Sequence, residues 1–241
     1  MKKNTIYTKI LSSKNSGKKL LAVLLDPDKL QLLQVKETAT KINPIKVDFI
    51  FVGGSTVKNG VTKVFVKELK RFTKIPVVLF PGDYTQITEE ADAILFLTLL
   101  SGRNPEYLIG QQIKSVSLLQ KSKLEVIPTG YILIDGGVET AVQKVSKTKP
   151  ISQNNIEKII NTASAGMYMG NQLIYLEAGS GAINTINVNI IKSVSVKINI
   201  PIIVGGGIKT KEQLESAYKN GADLVVIGNG FEENSSLLFQ L

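Results

Sequence analysis

The chain contains no cysteine, no histidine and no tryptophan. Without thiols it can have neither a disulfide framework nor a thiolate nucleophile, and without imidazole it has no histidine base and no Cys/His zinc site. Acid–base chemistry therefore falls to carboxylates, tyrosine or lysine, and any metal should be a hard cation on oxygen ligands. Long apolar runs are missing too: no stretch reaches the roughly 18 uninterrupted apolar residues of a membrane span. The basic start MKKNTIYTKI lacks the apolar segment and small-residue cleavage site of a signal peptide. The expectation is a soluble, cytoplasmic protein.

No Ser- or Pro-rich linker and no low-complexity tract interrupts the 241 residues, so residues 1–241 read as one domain large enough for a substantial core. Acidic residues are in deficit, 20 against 29 Lys and Arg, leaving a net charge of +9. Such a surplus suits nucleic acid, an anionic membrane surface or phosphorylated substrates. Only Lys2, Lys3, Lys9, Lys14, Lys18 and Lys19 form a cluster, and no recognition motif or interleaved aromatic–basic patch accompanies it. Nucleic acid is therefore not an expected partner, and most of the lysines read as a solvated surface.

What the sequence does have is eight short β-branched runs, at 20–26, 46–52, 75–80, 92–97, 124–128, 173–178, 200–205 and 223–228. Each is nearly continuous in apolar residues, as a strand buried on both faces of a parallel sheet requires. Stretches of helical period lie between most of them, among them 29–43, 57–72, 105–120 and 210–220. Eight strands in this length predict an α/β fold, a (β/α)₈ TIM barrel, with helix 3 replaced by a loop or short helix over 81–91. The long stretch 129–170 predicts two helices, 138–147 and 153–166.

In such a barrel the chemistry sits where strands end. The first strand is followed by Asp26-Pro27-Asp28-Lys29, the second by Gly53-Gly54-Ser55-Thr56, and the fifth by Thr129-Gly130-Tyr131 with Asp135 beyond. The sixth leads into Tyr175-Leu176-Glu177-Ala178-Gly179-Ser180-Gly181, the seventh into Gly205-Gly206-Gly207, the eighth into Gly228-Asn229-Gly230. Glycine lets backbone N–H groups approach an anion, and a following helix N-terminus adds positive character. Three glycine bends at consecutive strand ends describe a phosphate cradle. Glu177 at its edge suits a general base acting on a hydroxyl of the bound ester, with Tyr175 on the same strand face to orient it. Asp26 with the Ser55 hydroxyl fits Mg²⁺, which takes few protein oxygens and shares its shell with substrate phosphates. Asp26 as a cap on a helix starting near Asp28 is the alternative.

These motifs resemble the geranylgeranylglyceryl phosphate synthase family. The resemblance spans about residues 20–232 and rests on LLDPDK (24–29), DFIFVGGS (48–55), FPG (80–82), LLSGRNPEYLIG (99–110), IPTGYILIDGG (127–137), YLEAGSGA (175–182), IVGGGIKT (203–210) and ADLVVIGN (222–229). It implies a (β/α)₈ prenyltransferase that joins a prenyl diphosphate to the C3 hydroxyl of sn-glycerol 1-phosphate. It further implies Mg²⁺ at Asp26 and Ser55. Glycerol phosphate would be held by Tyr175 through Gly181, by Gly205, Gly206 and Gly207, and by Gly228 and Asn229. Homo-oligomers are also implied, as is transient membrane-surface contact for a lipid product. The branch making the longer heptaprenyl product carries Lys two residues before the metal Asp; Leu24 stands there in this chain, which favours a geranylgeranyl donor.

A donor of that kind needs an apolar groove, for which Phe80, Leu97, Leu99, Leu100, Tyr131 and Leu133 are the candidates, with 81–91 leaving the gap for the tail. Two other readings stay open at this stage. One is a sugar-phosphate isomerase or lyase barrel using Asp26 and Asp135 as acid and base. The other is a non-catalytic phosphate- or flavin-binding barrel.

Overall fold

The computed structural model describes residues 5–228. Its strands are β1 (Leu20–Leu25), β2 (Phe49–Val52), β3 (Val77–Leu79), β4 (Ala93–Leu99), β5 (Glu125–Leu133), β6 (Leu173–Glu177), β7 (Ile202–Gly205) and β8 (Leu224–Ile227). All neighbouring pairs are parallel, and β8 closes on β1 with Leu20 opposite Leu224. The expected eight-stranded barrel is the fold.

Period-two alternation divides each strand between two cores. Leu20, Ala22, Phe49, Phe51, Tyr175 and Val226 point inward and fill the barrel. Leu21, Val23, Ile50, Leu176 and Val225 point outward against the helical ring. That ring comprises α2 (Val35–Ile42), α3 (Val61–Phe72), α4 (Gln111–Lys121), α5 (Ala141–Ser146), α6 (Ile156–Tyr168), α7 (Val188–Lys197) and α8 (Lys211–Lys219), with α1 (Thr5–Asn15) preceding the barrel. Between β3 and β4 there is only the 3₁₀ turn Tyr84–Gln86, capped where the Asp83 carboxylate accepts from Thr85 N–H, so the third helix is indeed replaced.

Two features depart from expectation. Strand β5 runs to Leu133 instead of ending near 128, because Gly130 is not a turn residue. A Cβ there would stand 2.6 Å from Leu100 Cδ1 and 2.9 Å from Ile174 Cδ1, so the glycine lets neighbouring side chains close over the strand. The second is α1, which the polar sequence TIYTKILSSKN conceals. It lies across the N-terminal end of the barrel, with Ile6 and Ile10 joining the interior core. Its first N–H groups are gripped by the buried carboxylate of Glu125, which accepts from Ile6 N at 2.8 Å and Tyr7 N at 2.7 Å.

The basic cluster is largely explained by the same end. Lys9 pairs with Asp48 at 2.7 Å, and Lys14 and Lys19 approach Asp223 at 3.0 and 3.9 Å. Lys2 and Lys3 lie outside the described residues. Replacing Glu125 by Ala should strand two helix-terminal donors and remove an anion from the α1 N-terminus. We expect a loss of about 2–3 kcal/mol in urea unfolding with the barrel's circular dichroism retained.

Candidate active site

A cavity of about 710 Å³ opens at the C-terminal ends of the strands. Its polar side is built on β6 and β7. Alternation along β6 turns Tyr175 and Glu177 into the barrel, and Glu177 is 6% exposed at the cavity wall. Its Oε1 accepts from Gly179 N–H at 2.7 Å. Burial pushes the carboxyl up from 4.5 to about 7, while the Gly179 N–H and the nearby Tyr175 hydroxyl hold it back from rising further. The Tyr175 hydroxyl is buried and faces Glu177, although its geometry falls short of a well-formed hydrogen bond. Burial keeps both Tyr175 and Tyr131 well above the usual phenol range, so they stay neutral.

The glycines make this proximity feasible. A Cβ on Gly205 would sit 2.5 Å from Tyr175 Oη and 2.8 Å from Glu177 Oε2. On Gly206, whose φ is +86°, it would sit 2.5 Å from Glu177 Oε1 and 2.6 Å from the Gly179 nitrogen. The bends after β6 and β7 therefore converge on the Glu177 carboxylate, with Gly179, Ser180, Gly181, Gly206 and Gly207 lining the cavity beside it. Gly228 lines it as well. Asn229 lies outside the described residues.

Asp26 and Ser55, which follow β1 and β2, line a second part of the cavity wall. Among the described residues no helix starts near Asp28, so Asp26 caps only a turn, and one of its oxygens remains for a cation. Its Oδ1 accepts from Asp28 N–H at 3.1 Å, whereas Oδ2 faces Lys29 Nζ at 3.8 Å. Burial raises its carboxyl, as expected for a charge short of partners. A Cβ on Gly54 would come within 2.6 Å of Oδ1, so a glycine keeps the space before the carboxylate open. No group of three or more His, Cys, Asp or Glu able to hold a metal occurs among the described residues. One carboxylate and one hydroxyl suit a small divalent cation that shares its shell with water and a ligand's phosphate, not a full protein cage.

The rest of the cavity is apolar. Phe80, Tyr131 and Tyr175 form an aromatic triangle with ring centroids 5.2, 5.5 and 5.9 Å apart. Leu97, Leu99 and Ile87 continue the lining, and Pro81 to Tyr84 border it where the third helix is missing. Several residues expected at the site are not part of this lining. Leu100 packs in the outer core against the helices, and Leu133 is buried in the barrel interior away from the cavity. The side chains of Leu176 and Ala178 also face the helical ring, and Gly205 lies behind Tyr175, which leaves these three only main-chain contacts to offer.

Asp135 is exposed, spends its Oδ1 on Gly137 N–H at 2.9 Å and does not line the cavity. The acid–base pair Asp26/Asp135 is therefore corrected: β5 ends at Leu133, and Asp135 lies beyond it on an exposed turn outside the cavity lining. Three lining elements escaped sequence reasoning. Lys29 was visible only as the last letter of DPDK. Val142 and Val145 belong to α5, whose apolar i, i+3 pair was the available signal. Tyr107 sits in a π turn, Glu106–Gly110, leading into α4; such turns are frequent at functional sites.

Comparison with known proteins agrees with this geometry. Residues 15–240 match the PcrB family. The chain is 51% identical to geranylgeranylglyceryl phosphate synthase of Flavobacterium johnsoniae, over 96% of this chain and 95% of that one. It is 54% identical to the Zunongwangia profunda protein of the same name, over 94% and 97%. Among solved structures it resembles (S)-3-O-geranylgeranylglyceryl phosphate synthase of Thermoplasma acidophilum in complex with its substrate sn-glycerol-1-phosphate. There the TM-score is 0.91 and the identity 32%, covering 98% of this chain and 94% of that chain.

Proposed function

Since the chain belongs to the PcrB family, we propose that it is a geranylgeranylglyceryl phosphate synthase, transferring a prenyl group from its diphosphate to the C3 hydroxyl of sn-glycerol 1-phosphate. One observation carries this reading: a buried carboxylate whose pKa is near neutral lies between a glycine-built anion cradle and an apolar groove continuous with it. A sugar-phosphate isomerase has no use for the groove, and a purely phosphate- or flavin-binding barrel has none for Glu177.

The cradle formed by Gly179, Ser180, Gly181, Gly206, Gly207 and Gly228, with Asn229 by resemblance, holds the acceptor's phosphate. Its backbone N–H groups, other than that of Gly179, which is spent on Glu177, donate to the anion. With the phosphate fixed, the acceptor's C3 hydroxyl is aimed at the Glu177 carboxylate. Glu177 removes the hydroxyl proton as the oxygen bonds to the donor's first carbon. The allylic C–O bond breaks there, and its electron pair leaves with diphosphate. Tyr175 stays protonated and holds the Glu177 carboxylate in place. The aromatic faces of Phe80, Tyr131 and Tyr175 lie where positive character would develop on the allylic carbon, which ring quadrupoles favour.

Asp26 and Ser55 would hold Mg²⁺, which when bound offsets the charge gathering on the leaving diphosphate. Phe80, Leu97, Leu99 and Tyr131 receive the isoprenoid tail, each buried CH₂ contributing about 0.8 kcal/mol. None of the described helices is long and apolar enough to cross a membrane, so a lipid product would be handed over at the molecular surface.

The test is incubation of the purified protein with magnesium, glycerol 1-phosphate of either stereochemistry and prenyl diphosphates from C15 to C35, with products identified by mass. We expect diphosphate and an ether of the sn-1 isomer, best with the C20 donor. Preference for glycerol 3-phosphate, or no product with any donor, would reject the assignment.

A further inference from the structure

Lys29 stands where the two polar walls of the cavity meet. Its ammonium lies 3.8 Å from Asp26 Oδ2 and donates to Ser180 Oγ at 3.4 Å. Asp26 follows β1, and Ser180 belongs to the bend after β6. A single side chain therefore reaches both the wall assigned to the donor's diphosphate and the wall assigned to the acceptor's phosphate. Its backbone is fixed, since Lys29 N–H donates to the Asp26 carbonyl at 3.0 Å. The side chain is 48% exposed and carries only long contacts, so it is free to exchange them for ligand oxygens.

The charge balance of the cavity makes this position consequential. Among the described residues its lining has two ammonium groups, Lys29 and Lys209, and no arginine, beside the carboxylates of Asp26, Asp83 and Glu177. The proposed reaction brings a diphosphate and a phosphate monoester into this one space, close enough for a carbon of one to meet an oxygen of the other. Like charges held that near disfavour joint occupancy unless a cation lies between them. A magnesium ion held at Asp26 would serve the diphosphate from one side. Lys29 is the cation placed to touch both.

Resting on the site assignments above, we propose that Lys29 is a substrate-binding residue that contacts both anions together, so that its main effect is on their simultaneous binding and not on the affinity of either alone. Calorimetric titration tests this with sn-glycerol 1-phosphate, alone and after saturation with magnesium and inorganic diphosphate as the stand-in for the donor's head. In the wild type, the dissociation constant for glycerol 1-phosphate should change little, or tighten, when diphosphate is present. In Lys29→Gln it should weaken about tenfold on adding diphosphate, the scale of one charge-assisted contact. Lys29→Arg should restore most of the wild-type ratio. A ratio in Lys29→Gln equal to that of the wild type overturns the proposal, even if both affinities fall, because a merely structural loss would weaken the two measurements alike. Absence of glycerol 1-phosphate binding by the wild type itself is a different result, which removes the assigned function and this inference with it.

Discussion

Glu177→Gln should lower kcat by about a hundredfold to ten-thousandfold, the range for losing a positioned general base, with little change in glycerol 1-phosphate affinity. Gln keeps an oxygen for the Gly179 N–H and nearly the same volume, so the loss isolates proton removal. Wild-type activity should rise with pH through about 7, where the free carboxyl ionises, and then level off. The variant should lose that rise. Residual activity at wild-type level would move the base elsewhere.

The same substitution should stabilise the protein in alkali. A carboxyl raised from 4.5 to about 7 on folding favours the folded state fully below pH 4.5, and that advantage disappears as pH climbs through 7. Above that point the buried charge is a burden of up to about 3 kcal/mol, which Gln does not carry. Unfolding at pH 8.5 should show Glu177→Gln as the more stable protein, and at pH 4 the two should be nearly equal. Equal stabilities at both pH values would mean that the carboxyl is not held near neutrality.

Gly206→Ala should be nearly as damaging by a different route. Its φ of +86° is unfavourable for any L side chain, and its Cβ would intrude upon Glu177 Oε1 and the nitrogens of Ala178 and Gly179, two of the three contacts being backbone. The bend must open to admit the methyl group, which moves the cradle off the acceptor's phosphate. We expect kcat/KM for glycerol 1-phosphate to fall at least about a hundredfold with a loss of about 1–3 kcal/mol in stability. Thermal melting separates the two effects. By contrast Gly60, also at positive φ but with open space around it, should tolerate Ala with only the backbone cost.

Much of the architecture was legible because parallel strands covered on both faces leave long apolar runs, and each of the eight runs became a strand. The chemistry was legible for a related reason: strand ends are where glycine, acid and hydroxyl residues interrupt those runs. Glu177, Tyr175, Asp26 and Ser55 do come together around one cavity. Period-two alternation inside the motifs was harder to see. Leu176 and Leu133 sit among functional neighbours in the sequence, yet one turns toward the helices and the other is sealed in the barrel. Helix α1 was hidden because what secures it is remote in sequence: Glu125 on its first N–H groups, and the barrel interior around its Ile6 and Ile10. Lys29 was hidden because its role depends on Ser180, a contact that no local spacing reveals.

The pairing of Leu20 with Leu224 has a consequence for biogenesis. The first strand synthesised must wait, with one hydrogen-bonding edge unsatisfied, until the last has left the ribosome. So distant a junction is slow to form and is the natural seam of the ring. A circular permutant that joins the original ends and opens the chain in the exposed turn near Gly60 would make β8 and β1 neighbours in synthesis. The seam would move to β2 and β3, where Ile50 pairs with Val77, so that this pair and not β1–β8 should close last, with the same cavity presented.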